Sequence, residues 1–276
     1  MLRSIRFALP LLLVSATSQA AFDACRQFFP NQTPPKVSMS PGLTRDVCFS
    51  EFAALHSGES KTSVFVVEKL NRARLIDAQD EKRTDQFYEE GRVPSAHRAR
   101  LSDYKGSGYD RGHMAPAADM PTPEGMAQSF SLANMVPQAS ELNRGIWAKN
   151  VEKPTRQYAM RAKGDVFVFT GPVFSSPVTT IGAGKVWVPS YLYKLVYDAA
   201  ENRAWAFWSE NRDDARMSKP ITYEELVQRT GIEFLPGIKP AVGGGADSSP
   251  PPTQPGACGR KRTCQQMADC AEAVRD

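Results

Sequence analysis

Apolar and polar positions change rhythm several times along this chain, and the rhythms predict its elements. Thr62–Leu70 (TSVFVVEKL) and Asp165–Thr170 (DVFVFT, closed by Gly171-Pro172) are dense in β-branched and aromatic residues and predict strands. Val186–Tyr197 and Arg203–Trp208 predict an antiparallel pair turning through Ala199–Asn202, and Ser131–Val136 a brief strand. Glu141–Lys163 has helical spacing, with Ser140 as N-cap, Gly164 past its end and Pro154 interrupting it. Shorter helices are expected over Glu124–Phe130 and Thr222–Arg229, the second stopping at Gly231, while 71–109 reads as polar and irregular. Strands and helices mix without βαβ alternation. The expected fold class is α+β, with a mixed, largely antiparallel sheet flanked by helices.

The ends of the chain break these rhythms. Arg3 and Arg6 precede an apolar run, Phe7–Ala16, followed by small residues to Ala21. That order is the build of a signal peptide over 1–21, and the run falls short of the ~20 residues of a membrane span. The mature chain is therefore expected to be secreted or periplasmic. Residues 22–60 read as an N-terminal extension, 61–240 as the main domain, 241–257 (within it GGGADSSPPPTQPG) as a flexible linker, and 258–276 as a cysteine-bearing tail. Export makes disulfides plausible, and Cys25–Cys48 is the preferred bridge because it would pin the N-terminal arm. Five cysteines leave at least one outside any internal pair, and three histidines without a CxxC argue against a zinc site. A net charge of +4, spread along the chain, permits a nucleic-acid partner without requiring one.

The chemistry concentrates in Asp103–Met120, DYKGSGYDRGHMAPAADM, where glycines surround Asp110, Arg111 and His113. Asn134 and Gln138 follow in NMVPQ, and Asn143 in LNRGIW. Cutting a phosphodiester needs a base near neutrality, which histidine supplies, and positive charge on the phosphate, which arginine or a hard cation supplies. The order DRGHMAP, NMVPQ, LNRGIW, with TGPVF at 170–174, resembles the DNA/RNA non-specific endonucleases, the His-Me finger (ββα-metal) group, over about 62–238.

The resemblance implies a ββα-metal active site in which His113 is the general base. It implies Asn143 as the direct ligand of one Mg2+, which Mn2+ can replace. Arg111 lies beside the site, and Arg83 (in KRTDQF) is the upstream arginine that steadies charge on the phosphate. Asp110, Asn134 and Gln138 are supporting residues. The substrates would be DNA and RNA, cut with little sequence preference to leave 5′-phosphate ends. The family's helix usually carries a glutamate eight residues after the asparagine, serving the metal through water. Here that position is Val151, and Glu152 stands nine residues on. On a regular helix, at about 100° per residue, the ninth position points away from the first. A π-bulge or kink near 148–153, encouraged by Pro154, would turn Glu152 back.

Other readings attach to the same residues. Trp147 reads as core, Asp110 as a loop anchor, and His56 and His97 as exposed. Gly184-Lys185 lacks the rest of a phosphate loop. The tail resembles the opening of a small calcium-binding-like module without its acidic part, so no calcium site is expected. Two competing functions remain: an exported nucleic-acid-binding protein with an impaired site, whose His113→Ala variant would behave like wild type, and a toxin-type nuclease, marked by a neighbouring immunity gene.

Overall fold

A computed structural model describes residues 22–37 and 43–241. The expected signal peptide, the linker beyond Ala241 and the tail lie outside the described residues. In chain order the strands are β1 (Lys36–Val37), β2 (Thr44–Cys48), β3 (Phe52–Ser57), β4 (Ser63–Leu70), β5 (Tyr109–His113), β6 (Met135–Ala139), β7 (Val166–Val173), β8 (Thr180–Ile181), β9 (Val186–Trp187), β10 (Tyr191–Asp198), β11 (Arg203–Glu210) and β12 (Ile232–Glu233). The α-helices are α1 (Arg72–Asp77), α2 (Leu101–Tyr104), α3 (Pro123–Ser129), α4 (Lys153–Ala159) and α5 (Tyr223–Thr230), and a π-helix spans Leu142–Glu152.

Six strands form one antiparallel sheet in the order β11-β10-β7-β4-β3-β2. Both faces are covered, so its strands are buried nearly throughout, and the period of two sorts residues between two cores. Phe65, Val67, Phe169, Tyr193 and Leu195 face one core, which Phe22, Phe29 and Phe234 complete. Val66 and Leu192 face the other, which holds Phe52, Met114, Phe130, Val136, Trp147 and Val151. The register pairs Lys194 with Thr170 and Thr170 with Val66, so these polar groups share the second face, under the β5–β6 hairpin and the helices.

Residues 22–60, expected as an extension, are built into this architecture. β2 and β3 form one side of the sheet, and the Phe22 and Phe29 rings pack on Phe65. The Cys25–Cys48 disulfide ties this segment to β2. FAALHS (52–57) is buried at every position and so lacks the alternation that marks a half-exposed strand. His56, expected to be exposed, is buried; its Nε2 lies 2.9 Å from the His97 carbonyl, and burial lowers its pKa. Between strands, 71–109 contains α1, capped by Asn71, and α2, so the segment read as irregular is partly helical. Ser131–Val136 begins as a 3-10 turn at Leu132–Asn134 and becomes β6 only at Met135. α5 has Thr222 as N-cap and Gly231 in the left-handed region at φ 69°.

Candidate active site

β5 and β6 pair antiparallel, with Asp110 opposite Gln138 and His113 opposite Met135. The π-helix follows directly after β6, so hairpin and helix form a ββα unit laid on the second face of the sheet. His113 ends β5. The turn after it is stapled by Asn134, whose Oδ1 accepts from the Ala115 N–H at 2.9 Å and whose Nδ2 donates to the Ala115 and Ser129 carbonyls at 2.8 Å. Gly112 is required for a different reason: a Cβ there would overlap the Gln138 side chain.

The His113 ring meets Phe130 edge-on at 5.0 Å, with Phe87 5.9 Å away. Its Nε2 is buried and has no hydrogen-bond partner. Burial first, and the nearby Arg83 charge second, lower its pKa to about 3, with Asp85 opposing. Both arginines reach the site over these same rings. Arg83, bonded to Asp85 at 2.6 Å, stands 5.0 Å over Phe130, and Arg111 stands 4.0 Å over Phe87. The imidazole is thus neutral, dry on one flank and beside two cations.

Asp110 anchors the start of the helix. It accepts from Ser140 Oγ at 3.0 Å, from Arg144 at 2.6 and 2.8 Å, and from Asn143 Nδ2 at 3.0 Å. These bonds hold its carboxyl below the usual range against the opposing effect of burial. They also occupy Ser140, expected as an N-cap. A carboxylate can only accept, so the bond fixes the orientation of the Asn143 amide, with nitrogen toward Asp110 and oxygen away. Among the described residues Asn143 Oδ1 accepts no hydrogen bond, which suits a hard cation. Among them no group of three or more His, Cys, Asp or Glu could hold a metal.

The helix expected over Glu141–Lys163 is π over the eleven residues Leu142–Glu152 and α over Lys153–Ala159. The π winding starts well before the expected 148–153. At about 4.4 residues per turn, nine steps make close to two turns, so Asn143 and Glu152 fall on one face. Glu152 is half-buried, and burial raises its pKa; among the charges acting on it are Lys194, Asp119, Arg156 and Arg83. Trp147 is 1% exposed and packs in the second core.

Several site residues escaped the sequence. Arg156 lies one α-turn past Glu152 and donates to buried Asp119 at 3.0 Å. Lys194, 1% exposed on β10, donates to Thr170 Oγ1 at 2.7 Å and to the Met114 carbonyl, adjacent to His113, at 3.2 Å. Glu68 on β4 lies 3.9 Å from the ammonium, and both its oxygens lack a hydrogen-bond partner. A lysine inside the apolar strand YLYKLVY was the one available signal for this cluster.

Residues 31–241 match the family described as DNA/RNA non-specific endonuclease. The chain belongs to that family. It is 32% identical over 223 residues to human Endonuclease G, mitochondrial, covering 74% of this chain and 73% of that protein. It is 32% identical over 278 residues to Nuclease EXOG, mitochondrial, of Xenopus laevis, covering 87% and 77%. It is 34% identical over 180 residues to Nuclease C1 of Cunninghamella echinulata var. echinulata, covering 60% and 71%. A solved chain from the EndoG/EndoGI complex superposes with a TM-score of 0.60 at 23% identity, covering 72% of this chain and 93% of that one. This likeness concerns the fold. As a family member, the chain is a nuclease of the α+β class with the ββα active-site unit.

Proposed function

We propose that this endonuclease is exported, depends on a divalent cation and leaves 5′-phosphate ends on both DNA and RNA. The observation that carries the reading is the unbonded, buried His113 Nε2 beside Arg83, with the Asn143 amide oxygen turned outward by Asp110. A neutral imidazole accepts the proton of a water as that water's oxygen bonds to phosphorus. The bond from phosphorus to the 3′ oxygen breaks, and the departing oxygen takes a proton from solvent. A 5′-phosphate and a 3′-hydroxyl result.

Arg83, over Phe130, supplies donors for the phosphate oxygens, and Arg111, over Phe87, adds positive charge close by. A phosphate drawn to Arg83 also offsets the charge that depresses His113, so substrate binding raises the basicity of the ring. A magnesium ion held on Asn143 Oδ1, with manganese as substitute, would supply Lewis-acid charge to the phosphate. Glu152, on the same helix face, would take that ion's hydration shell rather than the ion itself. Contacts to backbone phosphate carry no sequence information, which supports low sequence preference. The basic, apolar, small-residue order of 1–21 supports export.

The test is digestion of plasmid DNA and of RNA by the mature chain, with magnesium or chelator, alongside His113→Ala. Metal-dependent cutting of both, reduced about 10²–10⁴-fold in the variant, is expected. Cutting that survives the chelator, or equal turnover by His113→Ala, would sink the mechanism.

A further inference from the structure

Beside the catalytic residues, α1, the Ala117–Asp119 turn and α4 enclose a cleft of about 490 Å³, within the range of roughly 300–1,000 Å³ typical of small-ligand sites. Its deeper wall is apolar: Leu75, Ala117 and Met126 are buried there, and Met160 is half-buried. Its mouth is cationic, with Arg83, Lys153 and Arg156. Gln79 and Gln157 stand exposed at the edge, and Glu81 is the one carboxylate among the described lining residues. Arg83 is the common wall. The same guanidinium lines this cleft, lies over Phe130 and acts on His113.

We infer that this cleft is a subsite for one unpaired base of the nucleic-acid chain, next to the phosphate being cut; the inference rests on the nuclease reading above. An apolar wall with cations only at the mouth does not suit a bare phosphate, whose charge would lose hydration against Leu75 and Met126. It suits a nucleotide, with the base against the thioethers and the flanking phosphates on Arg83 and Arg156. The glutamine amides both donate and accept, so they can meet the polar edge of any base. Such a site accepts every base and still requires that one be present. A duplex base enters only after unpairing and unstacking, which costs a few kcal/mol. Single strands and unpaired loops are therefore the better substrates.

The experiment compares kcat/KM for the mature chain in magnesium on three oligomers: single-stranded DNA, the same sequence as a duplex, and a base-free tetrahydrofuran phosphodiester of equal length. The variant Ala118→Phe fills the cleft from an exposed position. Wild type is expected to cut the single strand about tenfold faster than the other two, and Ala118→Phe to remove that advantage while cutting the base-free oligomer as wild type does. Equal rates of wild type on single-stranded and base-free oligomers would overturn the subsite alone. Failure to cut any of the three would overturn the nuclease reading and the subsite with it. Gln157→Ala, also at an exposed position, should lower the single-strand rate without affecting the base-free one, and a decrease on both would count against the subsite.

Discussion

Lys194→Met keeps the length and apolar stem of the side chain and deletes its ammonium. Two bonds disappear, 2.7 Å to Thr170 Oγ1 and 3.2 Å to the Met114 carbonyl. A buried acceptor left alone costs about 1–3 kcal/mol, and the Thr170 hydroxyl can turn to find another partner. The expected loss at pH 7 is therefore about 2–3 kcal/mol, not the ~3–5 kcal/mol of a stranded buried charge. The reason is Glu68. Burial, then Asp119, push its carboxyl well above its ordinary value of 4.5, so it need not carry a charge when its partner goes. An acid whose folded pKa is raised contributes stability fully below the unfolded value and loses it as pH rises. Lys194 opposes that rise; deleting it lifts the folded pKa further. The variant's deficit should thus widen on the alkaline side, by up to ~1.4 kcal/mol per pH unit. Urea unfolding at pH 7 and pH 9 reads this as a midpoint shift at constant m. The double variant Glu68→Gln/Lys194→Met should show the pH 7 loss without the widening. The Met114 carbonyl adjoins His113, so kcat should fall more than KM changes. A deficit under ~1 kcal/mol at both pH values, or one that shrinks with rising pH, would refute the placement of this pair.

His113 has the opposite sign. Its folded pKa of about 3 lies below the ordinary 6.5, so its contribution to stability is present above 6.5 and is lost as pH falls toward 3. Between pH 6.5 and 5, wild type should lose about 2 kcal/mol more than His113→Gln in thermal unfolding; parallel curves would contradict the dry placement of the ring. His56 is lowered too and titrates in both proteins, so it cancels in this difference. In kcat/KM profiles, the limb assigned to His113 should lie well below 6.5, and a limb at the ordinary value would show a solvated ring. Deleting exposed Asn150 restores the eight-residue separation between Asn143 and the glutamate, so the shortened helix can wind as α and still bring the carboxyl round. Activity within about tenfold of wild type is expected on that geometry, and loss comparable to His113→Ala would mean that the π winding itself is needed.

The sheet was legible where its strands announce themselves. TSVFVVEKL and DVFVFT are rich in β-branched and aromatic residues, and both are central strands. FAALHS was not legible. Buried on both faces, it has no alternation, and neither an alanine pair nor a histidine marks a strand. Of the candidate site, Asp110, His113, Asn134, Gln138 and Asn143 are singled out by the order of motifs, and hairpin and helix, contiguous in sequence, carry them as one unit. Arg156 and Lys194 reach the same region from separate elements. Arg156 reads alone as an ordinary surface cation and Lys194 only as a lysine inside an apolar strand; the packing of α4 and β10 against the ββα unit is what brings them in.

The added residue before Glu152 shows why a correct local rule failed in its details. From Leu142 to Glu152 the buried positions are Leu142, Trp147 and Val151, at intervals of five and four. An α-helix turns every 3.6 residues or so, so such a stripe would drift around it and expose part of the row. A wider turn keeps the row in line. The core thus sets the winding, since Trp147 and Val151 are buried at 1% and 0% and pack in the second core. A single bulge would correct the direction of Glu152 alone, whereas winding the whole segment as π also keeps Leu142, Trp147 and Val151 inward. Asn143 and Glu152 then come to one face as a consequence of burial, with Pro154, which cannot donate to a carbonyl four residues back, just beyond the change of winding.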